Sequence, residues 1–279
     1  MDCILLGVPV ECGSGRKGCN MGPNGLRAAG LAEALRGLGH TVRDLGDLTP
    51  AAERAVSHPN AKLKALSETV SWLDALVEKA FEISADGLPI FMGGDHVMAA
   101  ASVAGVARRA QEEGRPLFVL WLDAHTDFHT LETTDSGNLH GTPAAYFTGQ
   151  PGFEGVFPPL AAPVDPKNVC MIGIRSVDPA ERATIRNAGV TVHDMRAIDP
   201  QLRLKPPATQ RPSRVPPSAA ADDHAGGQHQ AAAQHDLEGG AHERSFHIFV
   251  LDEGDRPELE EHDDNGDDRR GPEVRNKIG

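Results

Sequence analysis

Short apolar runs and longer amphipathic stretches alternate through the first 200 residues. "CILLGVPV", Cys3 to Val10, is apolar and rich in branched side chains, and it predicts a buried strand. "PNGLRAAGLAEALRGLG" repeats Leu26, Leu31, Leu35 and Leu38 at helical spacing and closes on a glycine, so it predicts one helix. "HTVRDLGDL" predicts a second strand, residues 61–85 a long amphipathic helix, and "LPIFMGG" a third strand. The Ala-rich "HVMAAASVAGVARRAQEEG" predicts the next helix. "PLFVLWLDAH" is apolar on both faces, as strands inside parallel sheets are. "VCMIGIR", "DPAERATIRNAG" and "VTVHDM" then predict strand, helix and strand. This alternation predicts βαβ units: a doubly wound, mainly parallel sheet in a three-layer α/β/α domain over residues 1–200.

Beyond Pro200 the periodicity stops. Residues 201–279 are rich in Pro, Gln, His, Ala and Asp, and "FHIFVL" is their one strand-like run. Such a segment buries too little apolar surface to offset its ordering entropy, so a disordered tail is expected. Translation of a GC-rich gene in a shifted frame is the other account of the same composition. Glu253 and Asp255 follow the strand-like run at i and i+2 and read as a solvated acidic turn.

Charge and composition narrow the function. A net charge of -13 is the wrong sign for a nucleic-acid partner. No apolar run approaches the roughly 20 residues that span a bilayer. "MDCILLGVPVECG" has no basic n-region, so no secretion signal is expected. Cys3, Cys12, Cys19 and Cys170 lack metal or disulfide spacing and fit reduced cytoplasmic thiols.

The chemistry gathers in "WLDAHTDFHT" and "GGDH". Ligands in doubly wound folds sit beyond the carboxyl ends of strands, and both motifs follow apolar runs. If the chain stays extended past its strand, Asp123, His125 and Asp127 share one side. His96 ends the preceding strand and is expected beside them, with Gly93 and Gly94 allowing a tight turn and Asp95 orienting the group. Carboxylates outnumbering imidazoles favour Mn, Mg or Fe over a structural zinc site. His129 is open between a substrate-facing and a surface role.

"GGDH", "WLDAHTD", "SGNLHGTP" and "GIRSVDPAE" occur together in the order and spacing of the ureohydrolases, and over residues 3–200 the chain resembles the arginases. The resemblance implies a hydrolase that converts L-arginine to L-ornithine and urea. It also implies two Mn2+ ions, whose shared hydroxide attacks the guanidinium carbon. His96, Asp123 and Asp127 would hold one ion, and His125 with a bridging Asp123 the other. His140 would pass a proton to the leaving amine. His129, Ser136, Asn138, Asp178 and Glu181 would hold the amino-acid end of the substrate. The family often forms trimers or hexamers, so a cytoplasmic homo-oligomer is implied. The family's later motifs S-x-D-x-D-x-x-D-P and E-x-N-P are not found here, which leaves the sheet incomplete at its C-terminal side and the second ion two ligands. Two alternatives follow: a truncated metal- or ligand-binding relic without turnover, and a ureohydrolase for another guanidino compound, such as an agmatinase or guanidinobutyrase.

Overall fold

The computed structural model describes residues 1–198 and 248–251. Strand and helix alternate as the sequence pattern predicts: β1 (Asp2–Val8), α1 (Gly22–Ala28), α2 (Leu31–Gly37), β2 (Thr41–Asp47), α3 (Leu66–Ile83), β3 (Leu88–Gly93), α4 (Met98–Glu112) and β4 (Phe118–Leu122). α5 (Pro143–Phe147), β5 (Val169–Ile174), α6 (Pro179–Ala188), β6 (Thr191–Asp194), α7 (Met195–Ile198) and β7 (Ile248–Leu251) follow. β7 falls within "FHIFVL"; Glu253 and Asp255 lie outside the described residues.

The strands form a three-stranded sheet, β2-β1-β3, and a four-stranded sheet, β6-β5-β4-β7. All pairings are parallel except β4 with β7, which runs antiparallel with Val119 opposite Val250. Parallel strands need covered faces. Here α3 and α4 pack on each other, and Val70, Leu73, Leu76 and Ala80 of α3 are buried with Ala99–Ala101, Val103 and Ala107 of α4. One core cluster runs from Ile4 and Val8 of β1 to Val119 and Trp121 of β4 and Met171 of β5.

Two predicted helices are corrected. The single helix expected over "PNGLRAAGLAEALRGLG" is two, because Gly30 adopts a left-handed φ of 82° between α1 and α2. Only glycine enters that region without steric cost. The long helix expected over residues 61–85 starts at Leu66, because the segment before it is spent on contacts with a distant loop: Lys64 N–H donates to Gly137 O at 3.0 Å. No helix among the described residues is long and apolar enough to cross a membrane.

Candidate metal centre

Asp123 is the first residue after β4, and its N–H donates to Ile172 O of β5 at 3.1 Å. The chain bends at Asp123 and Ala124 and then pairs once more beside β5. His125 bridges Ser176 in the parallel sense, and the N–H groups of Arg175 and Ser176 donate to Ala124 O at 2.9 and 3.1 Å. It then turns. Asp127 has a φ of 46°, a left-handed conformation that Asp tolerates better than most residues. Its carbonyl accepts the N–H of Ala144 at 3.0 Å, where α5 begins. Asp127 therefore enters the site through a turn, not along the extended zigzag expected from its spacing.

Three ligand-type side chains converge there. His96 Nδ1 lies 2.6 Å from Asp127 Oδ2 and 3.2 Å from Asp123 Oδ2, and both carboxylates are buried. The His96 ring packs against Trp121, tilted by 36°, at 4.7 Å between centroids, a contact between the exit of β3 and the end of β4. Trp121 in turn donates its indole N–H to His125 O at 3.2 Å, which folds the exit of β4 back onto the strand. Burial pulls the His96 pKa down, but the hydrogen bond to Asp127 and the charges of Asp127 and Asp123 outweigh it, and the net shift is upward. Burial raises Asp123, and the hydrogen bond from His125 with the nearby His96 more than reverses this. His96 Nε2 is buried without a hydrogen-bond partner among the described residues. Two buried carboxylates and an imidazole nitrogen within 4.8 Å of one another suit a hard divalent cation such as manganese.

His125 stands outside that trio. Its side chain is 47% exposed, and its Nδ1 is 3.7 Å from Asp123 Oδ1, on the other oxygen from the one facing His96. Asp95 is not a member either. Its buried carboxylate accepts the N–H of Ser14 on Oδ2 and of Val97 on Oδ1, both at 2.9 Å. Burial raises its pKa, and those N–H donors counter part of the rise. Gly94 is required for close approach more than for turning, because a Cβ there would run into the carbonyl of Val10.

The loop that Asp95 holds also places His140. Gly13 O accepts the N–H groups of Leu139 and His140 at 2.8 and 3.2 Å and faces His140 Nδ1 at 3.3 Å. A carbonyl can only accept, so Nδ1 carries a proton and Nε2 is the nitrogen left to exchange one.

A second group lies one turn further along. His129 Nε2 is 2.8 Å from Asp178 Oδ2 and 3.7 Å from Glu181 Oε2. Asp178 caps α6, its Oδ1 accepting Glu181 N–H at 2.9 Å, so its two oxygens do different work. Glu181 Oε1 accepts the Thr126 hydroxyl at 2.9 Å and the Phe128 N–H at 3.0 Å, the residues flanking Asp127. Ser136 and Asn138 sit on the loop that follows. Ser136 Oγ accepts Asn138 N–H at 3.2 Å, and Asn138 Oδ1 accepts Lys64 Nζ at 2.9 Å. Two further residues support the site. Thr126 is marked in the sequence only by its place inside "DAHTD"; Lys64 is 74 residues from its partner and carries no local signal.

Mainly parallel sheets with carboxylates and imidazoles gathered at strand ends define an α/β protein with a candidate metal site, and the comparisons narrow this to one family. A profile of the arginase family matches residues 1–210, and the chain belongs to that family. It is 65% identical to the arginase of Brucella melitensis over 199 residues, which cover 71% of this chain and 65% of that one. It is 56% identical to the arginase of Agrobacterium fabrum over 205 residues, covering 73% and 63%. The chain thus spans somewhat under two thirds of the length of these relatives. Among solved structures, the Bacillus cereus arginase aligns with a TM-score of 0.60 and 32% identity, over 72% of this chain and 66% of that one.

Proposed function

We propose that the chain is built for manganese-dependent hydrolysis of L-arginine to L-ornithine and urea. The observation that carries this is the convergence of His96, Asp123 and Asp127 at the ends of β3 and β4. In this reading those three residues would hold one ion, and His125 with Asp123 would serve the other. Bound manganese supplies the Lewis acidity that makes water a nucleophile near neutral pH. The chain's own residues supply the rest. His140 is held by Gly13 with Nε2 free to exchange a proton with the leaving amine. Asp178 and Glu181 offer carboxylate oxygens to the α-ammonium group, with His129 beside them. The Ser136 hydroxyl and Asn138 amide are donors for the α-carboxylate. Lys64 takes the Asn138 carbonyl oxygen and so turns the amide N–H groups away from itself. Unpaired thiols fit a cytoplasmic home, and the family a homo-oligomer.

A second reading, a chain that binds metal or ligand without turnover, is favoured by the position of His125 outside the three-ligand group. One experiment separates the two. The purified full chain is loaded with Mn2+, and bound metal and urea released from L-arginine are measured together. Two ions per chain with urea support the enzyme; one ion or none, without urea, supports the second reading. Urea from agmatine in preference to arginine would replace the substrate.

A further inference from the structure

The group formed by His129, Asp178 and Glu181 has features of a cation site separate from the centre at His96. One imidazole nitrogen and two carboxylate oxygens lie within 4.8 Å of one another. Ligands about 2.0–2.2 Å from a shared tetrahedral ion stand roughly 3.3–3.5 Å apart. The separations of 2.8 Å to Asp178 Oδ2 and 3.7 Å to Glu181 Oε2 bracket that value, so rotation within the side chains suffices.

The group is also supported from behind. Glu181 is anchored through its other oxygen by Thr126 and Phe128, which leaves Oε2 aimed at His129. Asp178 is anchored through Oδ1 by the start of α6, which leaves Oδ2 aimed the same way. His129 Nδ1 faces the Thr133 hydroxyl at 3.2 Å. That hydroxyl can donate or accept, so it serves either imidazole tautomer. When Nδ1 donates to it, Nε2 is left with a lone pair, the arrangement by which metal-binding histidines are usually oriented. Access comes from one side: the Asp178 side chain is 45% exposed and Glu181 only 9%.

We infer that His129, Asp178 and Glu181 form a second divalent-metal site. One nitrogen and two oxygens with an open fourth position leave room for a metal-bound water, and Zn2+, which binds a given nitrogen and oxygen donor set more tightly than Mn2+, is the probe that reads it. Zn2+ there takes the same carboxylate oxygens that the arginine reading assigns to the substrate ammonium. It therefore excludes the amine; this competition, though not the metal binding, rests on that reading.

The test is equilibrium dialysis of the full chain against micromolar Zn2+, with bound metal counted by mass spectrometry. The Asp123→Asn/Asp127→Asn background silences the first centre. Adding His129→Asn removes one Zn2+ per chain, or weakens it roughly tenfold or more. Thr133→Val weakens the same ion, whereas His193→Asn on exposed β6 leaves the count unchanged; thermal midpoints confirm that each variant folds. An unchanged count in His129→Asn, or an equal loss in His193→Asn, overturns the site. L-ornithine is then titrated in. Displacement of that Zn2+ supports both the site and the placement of the amine. Zinc that stays bound in saturating ornithine leaves the metal site standing and removes the amine from it.

Discussion

The Gly13 carbonyl 3.3 Å from Nδ1 decides which nitrogen of His140 can handle a proton. In the proposed reaction an imidazole so fixed would act as a general acid-base group, and such groups contribute about 10²–10⁴-fold to rate. His140→Asn is therefore expected to lower urea release from arginine by that factor while bound manganese stays constant, since His140 touches neither Asp123 nor Asp127. Parallel loss of metal would mean that His140 acts through the centre instead. Cys12 gives a contrasting case on the loop that Asp95 holds, two residues before Ser14. It is buried, its thiol accepts from Thr69 Oγ1 at 3.3 Å, and burial pushes its pKa up to about 11. At pH 8 only about one thiol in a thousand is then ionised, and the thiolate is the reactive form. Iodoacetamide at pH 8 should leave Cys12 unmodified in the folded chain and label it after denaturation, as read by peptide mass spectrometry.

β3, β4 and α3 show what the sequence pattern can and cannot reveal. The strands ending in "GGDH" and "WLDAHTD" were legible because apolar runs and ligand residues are adjacent in sequence. The left-handed turn at Asp127 was not, because the contacts that stabilise it come from Ala144 and Ala145 of α5. The break at Gly30 was likewise hidden, since one glycine within helical spacing does not announce its φ. Where burial sets the energetics, expectations are firmer. Leu73 of α3 is fully buried against α4, so Leu73→Ala should destabilise the chain by about 2–5 kcal/mol in urea denaturation. At the surface the effect is smaller and depends on pH. Arg27 of α1 grips Asp44 of β2 with N–O distances of 2.8 and 3.0 Å and reaches Asp47 as well. The hydrogen bond from Arg27 holds the Asp44 pKa below its ordinary value, against a smaller opposing effect of burial. A depressed acid stabilises the fold above its unfolded pKa of about 3.9 and loses that contribution as pH falls through the folded value. Arg27→Gln should lower the thermal midpoint near neutral pH by about 1–4 °C, as a partly exposed pair worth about 0.5–1 kcal/mol would. The difference should close as pH falls below roughly 3.9 and through the depressed folded-state value.

β3 and β4 carry the candidate centre between them, yet they belong to different sheets. β3 pairs with β1, and among the described residues no strand lies on its other side; β4 has β5 on one side and antiparallel β7 on the other. What aligns the two strand ends is therefore the shared core and the tilted ring pair His96–Trp121. An unpaired strand edge invites association between chains, so β7 matters as the cover of β4. A proline at position 250 fixes φ at about -65°, away from the extended value of an antiparallel strand, and so weakens the β4–β7 pairing opposite Val119. A cost of about 1 kcal/mol, that of one ladder bond, is roughly 2–4 °C in a chain of this size. Val250→Pro should accordingly lower the thermal midpoint by a few degrees and raise light scattering at high protein concentration. It should leave manganese binding intact, because the N–H of Asp123 is held by Ile172 O of β5, on the opposite side of β4 from β7. Manganese affinity that fell in step with the midpoint would place β7 within the support of the metal centre.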